Sequence, residues 1–132
     1  MDFSSLVLME KDKNTGLFIR ELGSYKVNSG AVYITKMFCT ENIVNVYFDT
    51  NKDVEEWEFS AIFDLFDDNI FTEKGFSIEM VEEEYNPTWL VKFEYIEDYS
   101  LMSNKINELC EAIDEAVNKA FTDIEGKESD YI

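Results

Sequence analysis

The sequence predicts a single α+β domain: an antiparallel sheet of about six or seven strands, a short helix, and a long C-terminal helix packed across one face. Three observations predict it. Short runs through the first three quarters of the chain alternate apolar and polar residues, and residues 99–124 place apolar side chains at spacings of three and four. A chain of 132 residues with 45% hydrophobic content is large enough for one core and too small for two ordinary domains.

Residues 3–10 and 17–27 read as strands joined by Lys11-Asp12-Lys13-Asn14-Thr15-Gly16, a polar stretch ending in glycine that suits a hairpin loop. Gly23 interrupts the second strand and marks a bulge. After Asn28-Ser29-Gly30 come strands at 31–39 and 43–49, with the tight connection Thr40-Glu41-Asn42 between them. The simplest arrangement of these four is an antiparallel meander. In the last, Val44, Val46 and Phe48 share one face and Ile43, Asn45 and Tyr47 the other, so both faces carry apolar groups and both are expected to be partly covered.

Residues 54–59 alternate again, which predicts a fifth strand with Trp57 and Phe59 inward and Glu56 and Glu58 outward. Ser60 then caps a short helix over 61–66, ended by Asp67-Asp68-Asn69, while 67–75 has no clear pattern. Phe76, Ile78 and Met80 alternate before Glu82-Glu83-Glu84, and Trp89, Val91, Phe93 and Tyr95 alternate after Asn86-Pro87. These form a second hairpin with Glu79 and Glu94 outward.

The C-terminal helix is the clearest element. Tyr99, Met102, Ile106, Leu109, Ile113, Ala116 and Ala120 make one stripe, and its length of about 40 Å would cross a whole sheet. Residues 125–132 are polar and are expected to fray.

Charge is distributed unevenly. Residues 1–48 carry five acidic and five basic side chains, whereas 49–132 carry 24 carboxylates against six lysines, so the whole net charge of −18 follows Phe48. The expected result is an acidic face, with Glu56, Glu58, Glu79, Glu83 and Glu94 as its binding residues and a basic protein as its partner. If their strands are neighbours, these carboxylates lie side by side, an arrangement that stability alone disfavours. Phosphate mimicry against a DNA-binding protein, or an inhibitor or immunity-type cover for a basic enzyme, would use such a surface. Simple solubilisation would use it too. Direct nucleic-acid binding is disfavoured, because phosphate contacts need a basic patch.

Catalytic signals are sparse. Without histidine there is no Ser-His or Cys-His dyad and no imidazole ligand, and one arginine leaves few clamps for phosphate. No catalytic residue and no cofactor is expected, and the sequence favours a non-enzyme. A carboxylate-only enzyme is the alternative, since two of 29 acids could stand across a cleft. Asp49-x-Asn51-x-Asp53 copies the first three ligand positions of a calcium loop but has Val54 where glycine belongs and Ser60 where glutamate belongs. It is a weak calcium candidate at best, and a polar loop bonding to its own backbone explains it equally.

Cys39 and Cys110 have no metal or redox spacing and read as buried, reduced thiols. Twenty aromatic residues exceed what one small core usually needs, which opens a homodimer or an apolar-peptide groove as uses for any that are exposed. With no run of about 18 apolar residues and no leader pattern, the expected location is cytoplasmic and no membrane contact is expected.

The acidic aromatic segments Val54-Glu55-Glu56-Trp57-Glu58-Phe59 and Tyr85-Asn86-Pro87-Thr88-Trp89-Leu90-Val91 resemble small acidic bacterial proteins, of uncharacterised families in low-GC anaerobic Firmicutes. The resemblance implies a domain of unknown function and assigns no activity or site residue. Small acidic α+β secretion chaperones are similar in size and charge, but they usually open with a helix where this chain reads as a strand.

Overall fold

A computed structural model describes residues 4–132. Six strands form one sheet: β1 (Ser4–Lys11), β2 (Phe18–Val27), β3 (Ile34–Thr40), β4 (Ile43–Asp49), β5 (Ser77–Val81) and β6 (Thr88–Glu94), in the order β2-β1-β3-β4-β6-β5. Three helices, α1 (Glu56–Leu65), α2 (Asn69–Thr72) and α3 (Tyr99–Asp123), pack on one face of it. The α+β class and the long final helix agree with the sequence, although Phe3 of the expected first strand lies outside the described residues. No described helix is long and apolar enough to cross a membrane.

The first hairpin closes as its residues dictate. Asp12 accepts the backbone N–H groups of Asn14 and Thr15, both at 2.8 Å, which holds its carboxyl below the usual range, and Gly16 takes φ of 72° to let the chain return. The register slips between Leu8 and Met9, opposite Gly23 and Glu21, so the bulge falls beside the glycine that marked it. Between β3 and β4 the two-residue turn places Glu41 at φ 50° and Asn42 at φ 66°, the left-handed pair that a tight hairpin requires.

The sheet is mixed rather than a meander. β3 does not follow β2 in space; it lies beside β1, parallel to it, joined at Glu10 and Cys39. Part of the run expected as strand from residue 31 is instead a 3-10 turn, Ser29–Tyr33, that carries the chain across. Asn28 starts that turn by accepting the Gly30 N–H at 3.0 Å, and Asn107 of α3 accepts the Asn28 N–H at 3.0 Å while donating to the Lys26 carbonyl at 2.9 Å. The crossover is thus pinned to the helix that it passes.

A second correction concerns residues 54–59, which are not a strand. The Glu55 N–H donates to Glu58 Oε1 at 2.8 Å, closing a first turn, and α1 starts at Glu56 instead of residue 61. Ala61 and Ile62 are buried under it and Trp57 and Leu65 pack partly, so the apolar spacing is helical. Four alternating residues were too few to distinguish the two periods. The patternless 67–75 stretch holds α2.

Core burial follows the alternation. Val44, Val46, Phe48, Trp89 and Val91 are fully buried on the covered face, beneath Met102, Ile106, Leu109, Ile113 and Ala116 of α3. Trp89 is the hub on the α1 side: it stacks on Phe48 at 5.2 Å and on Phe66 at 4.2 Å, and meets Phe63 edge-on at 5.3 Å. At the other end Tyr99 stacks on Tyr25 at 5.1 Å.

The tightest approach is at Gly30, where an added Cβ would overlap the Cys110 carbonyl of α3. Gly30→Ala is therefore expected to push the crossover off the helix and lower stability by about 1–3 kcal/mol, measured by urea unfolding. An unchanged midpoint would mean that the helix and crossover do not pack this closely.

Candidate functional site

The structure separates the five glutamates that the sequence groups together. Glu56 and Glu58 lie in the first turn of α1, on the helical side of the sheet. Glu79 and Glu94 project from β5 and β6 on the opposite face, Glu79 level with Leu90 and Glu94 level with Ile43, with Lys92 between them in register. Glu83 is in the turn joining those strands. No ladder of facing carboxylates arises from these strands, because α1 removes two members and Lys92 interrupts the rest. Glu94 instead joins Glu41, Lys92 and Lys105 around a cavity of about 830 Å³ whose lining is mixed in sign.

The calcium-like triplet is a loop tied to its own backbone and to a neighbouring turn. Asp49 accepts the Asn51 N–H at 2.8 Å, Asn51 sits at φ 58°, and Asp53 accepts the Asn86 side-chain amide at 3.4 Å. Among the described residues no group of three His, Cys, Asp or Glu side chains is placed to hold a metal ion. Both cysteines are buried. Burial, aided by Glu111, pushes the Cys110 thiol up to about 12, and burial followed by the charge of Glu10 raises Cys39. Neither is disposed to form the reactive thiolate.

The side chains that do converge lie between the start of α1 and the C-terminal tail. Glu55, Glu56, Trp57, Ser60, Glu128 and Tyr131 line a cleft of about 400 Å³. A second hollow of about 410 Å³ shares Ser60 and Tyr131 with it and adds Phe63, Asp64 and Met80. One wall is set by the opening turn of α1, where the Trp57 indole N–H donates to Glu55 Oε2 at 3.0 Å. The other wall is the tail. Gly126 at φ 76° turns the chain after α3, a 3-10 turn follows at Glu128–Asp130, and the Tyr131 hydroxyl donates to Asp64 at 2.6 Å. Residues 125–132, expected to fray, are thus tethered, and the same hydrogen bond raises the Tyr131 phenol above its ordinary value.

The electrostatics of this side are one-signed. Residues 53–73 hold eight acidic side chains and no basic one. The four ion pairs among the described residues use Glu10, Glu41, Glu108 and Asp123, and none uses Glu55, Glu56, Asp64 or Glu128. The cleft therefore offers acceptors and aromatic faces without an internal cation. Of its residues the sequence reading had Glu56 alone as a binding residue. Glu55-x-x-Glu58 is a capping pattern with glutamate in the place of serine, which could have revealed the turn, whereas nothing local marks Tyr131 or Glu128.

A family model described as Family of unknown function (DUF6762) matches residues 1–132. No curated protein and no solved structure matches the chain.

Like-charge crowding on the helical side has a measurable consequence at Asp68. Burial first, and then the adjacent Asp67 charge, hold its carboxyl above the ordinary 3.8. A folded-state value above the unfolded one means that the protonated form favours folding. That contribution is complete below about pH 3.8 and is lost as pH rises through the folded value. Asp68→Asn is expected to raise the thermal midpoint at pH 7 and to give no gain near about pH 3, where both forms are neutral. An equal gain at both pH values would assign the effect to packing instead of charge.

Proposed function

The chain belongs to DUF6762, a family of unknown function, and we propose that this member is a protein-interaction module binding a basic partner through the acidic cleft beside α1. The observation that carries the reading is the lining itself: carboxylates of Glu55, Glu56 and Glu128 around an indole and a phenol, with no lysine or arginine among them. A guanidinium or ammonium group entering this space would meet carboxylate acceptors and the faces of Trp57 and Tyr131, the two kinds of group that attract a cation most strongly. Since Glu55 already accepts from Trp57, Glu56 and Glu128 are the freer acceptors.

Beyond the cleft, the net charge of −18 would steer a basic protein toward the surface and repel acidic ones. Such a module would act by covering a basic surface, as an inhibitor, an immunity-type protein or a nucleic-acid mimic does. Affinity of this origin falls with ionic strength. Glu79, Glu83 and Glu94 add to the field without contributing to the cleft.

The test follows Trp57, since Trp89, the other tryptophan, is fully buried. Titrating the full chain with a lysine- and arginine-rich peptide is expected to change Trp57 emission with an affinity that weakens as salt rises. Glu56→Gln with Glu128→Gln is expected to weaken that binding about tenfold or more while leaving thermal unfolding intact. Binding of equal strength in the double variant, or no emission change at low salt, would remove this cleft from consideration.

A further inference from the structure

All the described helices lie on one face of the sheet and none covers the other, the bare face, although Asn45 and Leu90 on it are buried by their own neighbours. By alternation from the core, the bare face carries Val7 and Met9 of β1, Lys36 and Phe38 of β3, Asn45 and Tyr47 of β4, and Leu90 and Lys92 of β6. Phe38 stacks on Tyr47 at 6.4 Å, near the middle of the six strands. Lysines cover the pair: Lys11 Nζ stands 4.5 Å from the Phe38 centroid and Lys36 Nζ 5.1 Å from that of Tyr47. Val7 is 46% exposed, unusual for a strand valine with no solvent-side role.

This face is electrically polarised across the strand order. Toward the β2 edge it holds Lys11, Lys26 and Lys36 against Glu21; toward the β5 edge it holds Glu79 and Glu94 against Lys92, and the adjoining turn adds Glu82, Glu83 and Glu84. A surface basic at one side, acidic at the other and aromatic at the centre is complementary to itself after a half-turn.

We infer that the bare sheet face joins two copies of this chain, stacked face to face about a two-fold axis that runs along the strands between β3 and β4. That axis puts β1 of one copy over β6 of the other and β2 over β5. Strand pairing sets the heights. Glu10, Cys39, Val44 and Phe93 are level, so Lys11 and Glu94 are level one residue further on, as are Val7 and Leu90 three residues back. Lys11 of one copy therefore faces Glu94 of the other, and the exposed Val7 lies over the strand position of Leu90, whose own neighbours already bury it, each juxtaposition occurring twice. The Phe38 and Tyr47 pairs meet on the axis.

Size and charge both permit this. Six strands about 4.8 Å apart and about seven residues long make a face on the order of 650 Å² in flat projection, close to the roughly 800 Å² of accessible surface per partner in a standard interface. The acids of α1 and α3 lie behind the sheet in each copy, more than about one Debye length of 8 Å from the contact at physiological salt, so the repulsion of two chains of −18 is screened there. This inference is separate from the cleft: the test uses the purified chain alone, and variants at Glu56 and Glu128 are expected to remain dimeric.

Sedimentation equilibrium of the full chain is expected to give twice the mass of 15.5 kDa. Lys11→Glu and Glu94→Lys are each expected to weaken self-association about tenfold or more, and the two together in one chain to restore it, because the pair is only reversed. Val7→Asp, at an exposed site, is expected to keep the circular dichroism spectrum and abolish the dimer. A wild-type chain that stays monomeric, a double variant no better than the singles, or a folded Val7→Asp variant that still dimerises would overturn the proposal.

Discussion

Asn107, about a third of the way along α3, holds the end of β2 with three hydrogen bonds: its side-chain oxygen takes the Asn28 N–H, its amide gives to the Lys26 carbonyl, and its own backbone carbonyl takes the Asn28 amide at 3.3 Å. Four residues around this clamp decide how the helix lies. With Gly30 admitting the helix backbone to close range, the crossover from β2 to β3 must run between the helix and the sheet edge, and β3 has to emerge on the far side of β1. A buried backbone leaving a strand loses its ladder partners, and the side-chain amides of Asn28 and Asn107 replace them. The long helix is thereby committed to one face of the sheet, and among the described residues there is no second long helix to cover the other.

One-sided coverage turns a sequence asymmetry into a spatial one. The neutral first half builds β1 to β4, whereas α1, α2, α3 and the β5–β6 hairpin come from the acidic half. The break at Phe48 is therefore no domain boundary, since β4 pairs with β6 along its whole length. Helices α1 and α3 carry Glu56, Glu58, Asp64, Glu108, Glu111, Asp114, Glu115 and Asp123 over the covered face, and the bare face receives Lys11, Lys26, Lys36 and Lys92. Lys11 and Lys36 stand over the Phe38 and Tyr47 rings, which keeps their charge hydrated while shielding apolar area from water. At the junction of α1 and α2, burial and then the adjacent Asp67 charge disfavour the Asp68 carboxylate.

Periodicity made the hairpins, the bulge at Gly23 and the final helix legible, since each rests on local pattern over many residues. Local pattern failed in two places for physical reasons. Glu56-Trp57-Glu58-Phe59 alternates like a strand, yet a glutamate at Glu58 that takes the Glu55 N–H nucleates a helix, and Trp57 and Ala61 then fall on one face. The parallel seam of β1 and β3 was invisible because it depends on the Asn28 and Asn107 clamp, whose members are 79 positions apart. The same holds for the cleft. Tyr131 reaches Asp64 across 67 positions, and no composition of the tail foretells that it folds back.

The excess of aromatic residues posed a choice between core and interface, and the structure places most of them in or against the core. Phe48, Phe63, Phe66, Phe71 and Trp89 interlock where α1 and α2 meet the sheet. Phe38 and Tyr47 have no such duty; they lie outside the core cluster, on the antiparallel β3–β4 pair, where the solvent side needs only polar groups. Their place at the centre of a polarised face is the feature that the proposed contact between two copies would use. Two chains joined there would hold both acidic helical layers outward, so a partner with repeated basic segments would engage the second cleft at a concentration set by the dimer itself. The two surfaces would then divide the work, the bare sheet setting valency and the helical side setting which charge is recognised.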